Sequence, residues 1–218
     1  MRFFHRSARL SEDIDLDVLN QIGVETLKKS VNTVLENGAM LSQLATQGIR
    51  NVSAIQPKQT MTTQRWKVTL HLPGESLQTK IEFSRRADQI HYETGVPNPE
   101  ILNRYRCIPF ASQFYHEDQM AEQKIRALAA RGRNAVRDLF DLHHLIFGIM
   151  VDLTKATKGM DKKILESAIE KMERFSFKEF IQQVHPYLTE DLGTAYNESS
   201  HFERIKSKTS GKLLEILS

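Results

Sequence analysis

Three carboxylates alternate with aliphatic residues near the start of the chain, in Arg9-Leu10-Ser11-Glu12-Asp13-Ile14-Asp15-Leu16-Asp17. Period-two alternation predicts a strand. On a strand, residues two apart project to the same side, so Asp13, Asp15 and Asp17 share one face while Ile14, Leu16 and Val18 are expected to bury the other. Carboxylates held side by side repel, and a divalent cation relieves that cost. Oxygen-rich sites of this kind suit Mg²⁺ or Mn²⁺, which accept one or two carboxylates and then the phosphates of a substrate. Phosphoryl or nucleotidyl transfer is the chemistry such a pair would serve. The spacing also fits the solvated face of an edge strand, and Asp-x-Asp alone does not separate the two readings.

The elements that must position these groups fall into a mixed half and a helical half. Glu25 to Gln47 carries Leu27, Val31, Val34, Leu35, Leu41 and Leu44 at helical spacing, with Gly48 as a stop. Arg65 to Leu72 and Leu77 to Arg85 alternate with period two around Pro73-Gly74-Glu75-Ser76, which predicts a hairpin. A short strand is expected at 90–92, and Pro97, Pro99 and Pro109 mark a long irregular connection. From His116 onward the pattern is helical: Met120 to Arg131, Val136 to Met150 with a break near Gly132, then Lys162 to Arg174, Phe177 to Val184 and Phe202 to Leu217. The expected class is α+β, with a mixed sheet and helices in residues 1–110 followed by a helical region in 111–218.

The second hairpin strand adds a carboxylate. In Lys80-Ile81-Glu82-Phe83-Ser84, Glu82 faces away from Ile81 and Phe83. It fits either a bridging ligand of two-metal transfer or an exposed residue paired with Lys67 or Lys80. Further on, Lys124, Leu128 and Arg131 share one helical face, as do Asp138, Asp141, Leu142 and Leu145 on the next helix, and Arg137 is spaced to pair with Asp141.

Composition sets outer limits. The chain has 218 residues and a net charge of +3, which does not by itself imply nucleic acid. Its distribution says more: Lys124, Arg126, Arg131, Arg133 and Arg137 form a basic stretch with no acidic residue among them, although a solvated helix face reads the same way. The single Cys107 excludes a disulfide framework, and no run of apolar residues is long enough to span a membrane. These features point to a soluble protein of a reducing compartment, the cytoplasm.

Taken in order, Arg-x-Ser-x-Asp-x-Asp, a strand carboxylate, Lys-x-x-Ala-Leu-x-x-Arg and Arg-Asp-Leu-Phe-Asp-Leu resemble the AbiEii/AbiGii nucleotidyltransferase toxin family, from about Arg9 to Ile146. The resemblance implies a polymerase-beta-like nucleotidyltransferase core and a helical domain. It implies that Asp13, Asp15 and Glu82 hold Mg²⁺ or Mn²⁺, with Ser11 beside them. Lys124, helped by Arg131, would neutralise the nucleoside triphosphate. Arg137 would position one of the acids, and Asp138 or Asp141 would orient Lys124 or help activate an acceptor hydroxyl. It further implies a toxin of a toxin-antitoxin or phage-defence pair with a cognate antitoxin, acting on an acceptor such as tRNA.

The sequence departs from that pattern in one respect. Family members carry a Gly-Gly-Thr or Gly-Ser motif ten or more residues before the Ser-x-Asp-x-Asp strand, at a helix start whose amides bind phosphate. Only ten residues precede Ser11 here, and Met1 to His5 reads as the later turns of that helix, so the expectation is a chain lacking its native N-terminus. Three functions remain open: nucleotidyl transfer to RNA, the same chemistry on a small molecule or protein, and an inactive interaction module. His143-His144 point different ways on a helix and do not suggest chelation. Cys107 reads as a packed thiol, and Phe175, Phe177, Phe180 and Tyr187 as core or partner-facing contacts.

Overall fold

The computed structural model describes residues 1–18, 21–85, 92–130, 132 and 136–218. In chain order the elements are α1 (Arg2–His5), β1 (Asp13–Asp17), α2 (Val24–Leu35), α3 (Gly38–Thr46), β2 (Asn51–Gln59), β3 (Thr63–Leu72), β4 (Glu75–Ser84), β5 (Tyr92–Gly95), α4 (Pro99–Arg104) and β6 (Ser112–Tyr115). Helices α5 (Glu117–Ala129), α6 (Val136–His144), α7 (Leu153–Ala156), α8 (Lys162–Arg174), α9 (Phe177–Gln183), α10 (Glu190–Gly193) and α11 (Ser199–Leu217) follow. The class is α+β, as expected. The chain forms two compact units, Ser11–Ile90 and Met1–Leu10 with His91–Ser218, a division by contact density that differs from the 1–110 and 111–218 domains drawn from sequence.

In the unit Ser11–Ile90, four strands form one mixed sheet in the order β1-β4-β3-β2, with β1 parallel to β4 and the other pairs antiparallel. The β3–β4 hairpin closes at Pro73-Gly74, with Leu72 opposite Glu75, and Gly74 takes the left-handed φ of 86° that favours glycine. Its core is small: Leu27 and Val31, one turn apart on α2, pack with Val18, Trp66 and Val68. Trp66 is fully buried, and its indole N–H donates to Asn32 Oδ1 at 3.0 Å.

Two expectations in this unit are corrected, and one strand is added. Glu25 to Gln47 is not one helix but two. Asn37 ends the first segment and caps α3, its side chain accepting from the amides of Ala39 and Met40. Strand β2 was not foreseen, because Pro57 interrupts it; the chain accommodates the proline at a register shift between Ile55 and Lys58 on an edge strand. Ile14 and Leu16 do not bury a face. They are 49% and 41% exposed, since β1 is the outermost strand of the sheet, whereas Val18 is buried.

In the other unit, β5 and β6 pair antiparallel as a separate ribbon. The strand expected at 90–92 falls largely outside the described residues. The connection marked by prolines is more regular than expected: Asn98 caps α4, with Pro99 at its first turn. Helices α5, α6, α8, α9 and α11 surround a large core that includes Ile125, Leu128, Leu139, Leu142, Met172, Phe180, Phe202 and Leu213. Phe175 and Phe180 belong to it, and Phe177 packs against it. The helix expected to run to Met150 leaves α-geometry at His144 and continues as a π-helical turn, Leu145–Ile149, ended by Met150 at a left-handed φ of 63°. Cys107 is half-buried, its Sγ 3.5 Å from the Tyr105 carbonyl oxygen.

Candidate active site

The acidic row is assembled by strand register. Parallel pairing sets Asp13 opposite Lys80 and Asp15 opposite Glu82, and antiparallel pairing sets Glu82 opposite Arg65. Register partners project to the same side, so Asp13, Asp15 and Glu82 share one sheet face with two basic residues. Lys80 Nζ lies 3.2 Å from Asp13 Oδ2 and 3.5 Å from Asp15 Oδ1. Arg65 Nε donates to Glu82 Oε2. Partial burial disfavours the Lys80 charge, but the Asp13 hydrogen bond and the fields of Asp15, Asp13 and Glu82 outweigh it and hold the ammonium above the usual lysine range. Ser11, beside the row, donates its hydroxyl to the Asp13 carbonyl oxygen at 2.8 Å, shaping the entry to β1.

The donor set fits a hard cation in its chemistry: three carboxylates on one accessible face. They are spread around Lys80 and Arg65, so a cation must take the place of those pairings. Among the described residues, the acidic and imidazole groups whose donor atoms converge within 4.8 Å are instead Glu93, His116 and Glu117, in the other unit. There the His116 ring meets Glu93, Glu117 and Asp118 carboxylates at 3.4, 3.8 and 3.3 Å, and Nδ1 also accepts the Asp118 amide as the cap of α5. That grouping was not anticipated, since Glu93 comes from a strand more than twenty residues away in sequence.

The second group of expected residues also assembles. Lys124 on α5 donates to Asp138 Oδ1 at 2.8 Å and to Asp141 Oδ2 at 2.7 Å, both on α6. The i, i+3 spacing of the two aspartates brings them to one lysine. Asp141 is fully buried. Its other partner is Arg9, whose Nε and Nη2 grip Oδ1 and Oδ2 at 3.0 and 2.7 Å, the bidentate arrangement that fixes a carboxylate most firmly. Burial pushes the Asp141 carboxyl up, but Lys124 and Arg9 more than compensate and hold it below the usual aspartate range. Burial likewise opposes the Lys124 charge, and Asp141 and Asp138 override it to raise the ammonium above its ordinary value.

Arg9 is the residue sequence reasoning assigned no role. Its only local signal is a place in the Arg-x-Ser-x-Asp-x-Asp run, and its partner lies 132 positions away. Arg137 is exposed, and the Asp141 contact foreseen for it is taken by Arg9 and Lys124. Arg131 lies outside the described residues. The histidines diverge as expected: His143 Nδ1 meets Thr209 Oγ1 at 3.0 Å, and His144 Nε2 donates to the His5 carbonyl oxygen at 2.6 Å.

Two groups of expected residues thus come together: an acidic row on a sheet face, and a lysine locked between buried aspartates. The family model of the AbiEii toxin, a nucleotidyl transferase of type IV toxin-antitoxin systems, matches residues 1–200. The chain belongs to the AbiEii nucleotidyltransferase toxin family. AbiEii membership makes it a nucleotidyltransferase, implying a nucleoside triphosphate substrate and an antitoxin counterpart. No curated protein matches the sequence significantly. Among solved structures, JHP933 from Helicobacter pylori is similar with a TM-score of 0.52 at 19% identity, over 95% of this chain and 78% of that one. A candidate nucleotidyltransferase from H. pylori gives 0.48 at 17% identity, over 95% and 81%. At 19% identity the JHP933 likeness is one of fold. Among the described residues no helix is long and apolar enough to cross a membrane.

Proposed function

We propose that this AbiEii protein transfers a nucleotidyl group from a nucleoside triphosphate to RNA, with tRNA as the acceptor, and that it works in the cytoplasm as a toxin of an antitoxin or phage-defence pair. The observation that carries the reading is the register-aligned row of Asp13, Asp15 and Glu82. These three would hold Mg²⁺ or Mn²⁺, which when bound neutralises phosphate charge and lowers the barrier to attack at phosphorus. Residues 1–110 would form the nucleotidyltransferase core and 111–218 the helical domain.

The acceptor hydroxyl attacks the α-phosphorus, the bond to the β-phosphate oxygen breaks, and pyrophosphate leaves as the hydroxyl proton passes to solvent. Lys124 offers its remaining N–H to the triphosphate, with Arg131 as a second cation. Asp138 and Asp141 orient Lys124. A carboxylate held below its ordinary range by two cations is a poor proton acceptor, so activation of the acceptor hydroxyl is not assigned to Asp141.

The test is transfer of label from each α-³²P nucleoside triphosphate, with Mg²⁺ or Mn²⁺, to total RNA, protein and small acceptors. Label on RNA that disappears in Asp13→Asn and Lys124→Met supports the reading and names the donor. Label on protein or a small molecule alone overturns the acceptor, and label that survives Asp13→Asn overturns the site.

A further inference from the structure

Helix α6 gives way to the π-helical turn, and the extra residue in that turn carries Phe147 to the surface, 39% exposed. Two side chains hold its ring: the His143 imidazole, 4.7 Å away between centroids, and Lys208, whose Nζ lies 5.6 Å from the ring centre. Arg204 stands one helical turn before Lys208 on α11, and both are exposed. The other lysines on this helix are compensated, Lys206 by Glu203 at 2.9 Å and Lys212 by Glu215 at 2.7 Å. Among the described residues, no carboxylate forms an ion pair with Arg204 or Lys208. Burial, with the fields of Lys208, His144 and Arg204, pushes the His143 imidazole down to about 4, so the ring is neutral at pH 7 and the two free cations face it unopposed.

We propose that Phe147, Arg204 and Lys208 form a docking surface for an unpaired stretch of RNA, a proposal that rests on the reading of RNA as acceptor. Uncompensated cations one helical turn apart suit successive phosphates. An exposed aromatic ring beside such a cation offers a base a stacking platform that an acidic peptide does not need. The surface is built largely by α11, most of which lies past residue 200, where the family match ends. Recognition there would be a property of this chain rather than of the shared catalytic motifs.

The experiment uses the full chain and two probes, a labelled single-stranded 12-mer RNA and unfractionated bacterial tRNA, titrated by fluorescence anisotropy at several salt concentrations. The double variant Arg204→Gln/Lys208→Gln should weaken binding at least tenfold and flatten the dependence of log Kd on log salt by about 1.4, the loss expected for two single-strand phosphate contacts. Phe147→Ala should weaken binding about fivefold or more with the salt slope unchanged. Circular dichroism checks the fold of each, and Phe147→Tyr, which keeps the platform, should bind as wild type. Wild-type affinity in the double variant overturns the proposal, as does a loss confined to a poly-glutamate probe, which would mark a protein partner. Labelling separates the two ideas. RNA labelled by wild type with an acceptor KM unmoved in the double variant removes the surface and leaves the reading. Variant-sensitive RNA binding without any RNA labelling removes the reading and leaves the surface.

Discussion

At the residue scale the buried ionic cluster is the stiffest commitment. Asp141 pairs with both Arg9 and Lys124, so Asp141→Asn leaves Arg9 without its carboxylate and Lys124 with Asp138 alone, and should cost about 3–5 kcal/mol, read by urea denaturation. The sign of its pH dependence follows from the shifts. Asp141 is lowered on folding, so its contribution is complete above its unfolded value near 3.8 and is lost as pH falls below it. Lys124 and Arg9 are raised, so theirs is complete below their ordinary unfolded ranges and is lost only at higher pH. His143 acts in a milder window: held at about 4 against 6.5 unfolded, it takes up its proton more readily in the unfolded chain, and stability falls on acidification between those values. His143→Gln should therefore narrow the difference between urea midpoints at pH 7.5 and 4.5; an unchanged difference would rule this out. Lys80 competes for the carboxylates a cation needs. Lys80→Met should tighten Mn²⁺ binding several-fold by electron paramagnetic titration, and weaker binding would mean that the lysine assists the ion.

At the element scale, α2 is tied to the sheet by the Gln64 side chain, which donates to the Val24 carbonyl oxygen, and by Asn32, whose Oδ1 accepts from both Trp66 Nε1 and Gln56 Nε2. Asn32→Ala leaves a buried indole N–H without a partner and should cost about 1–3 kcal/mol, measured through Trp66 fluorescence. The elements most legible in sequence were those whose periodicity is local: the β3–β4 hairpin, α8 and the Asp-x-Asp strand. Those that were not depended on context. Pro57 breaks the strand pattern of β2, and a register shift on an outer strand admits it. Asn37 and Gly38 sit inside an apolar periodicity that ran on without a visible stop, so the cap that divides α2 from α3 was hidden. The π-helical turn left no trace in the spacing of Leu142, Leu145 and Ile146, which all remain buried.

At the scale of the whole molecule, the motifs were readable as residue types and strand or helix faces, and so was the pairing of Lys124 with Asp138 or Asp141, while Arg9 as the partner of Asp141 and Arg65 as the partner of Glu82 were not. The bridge between Arg9 and Leu188, the amide of Leu10 on the Tyr187 carbonyl at 2.7 Å and the Arg9–Asp141 pair all join residues far apart in sequence, and no local pattern encodes them. The two units also differ in core: among the described residues, five buried hydrophobics cluster in Ser11–Ile90 against the much larger cluster of the other. The only tryptophan lies in the smaller core. Its fluorescence should therefore change at lower urea than the helical signal at 222 nm, which reports mainly the other unit; coincident transitions would show that the units unfold together.

The outermost position of β1 has a consequence beyond chemistry. With Ile14 and Leu16 half-exposed, β1 carries an edge that no other described strand pairs, and charged side chains such as Asp13 and Asp15 on an edge strand disfavour pairing with a second copy. Solubility would therefore be a second role of these aspartates, beside the metal binding proposed for them. Alanine replacements at Asp13 and Asp15 would give a protein prone to aggregate, and saturating the row with a divalent ion at high protein concentration would favour the same clumping.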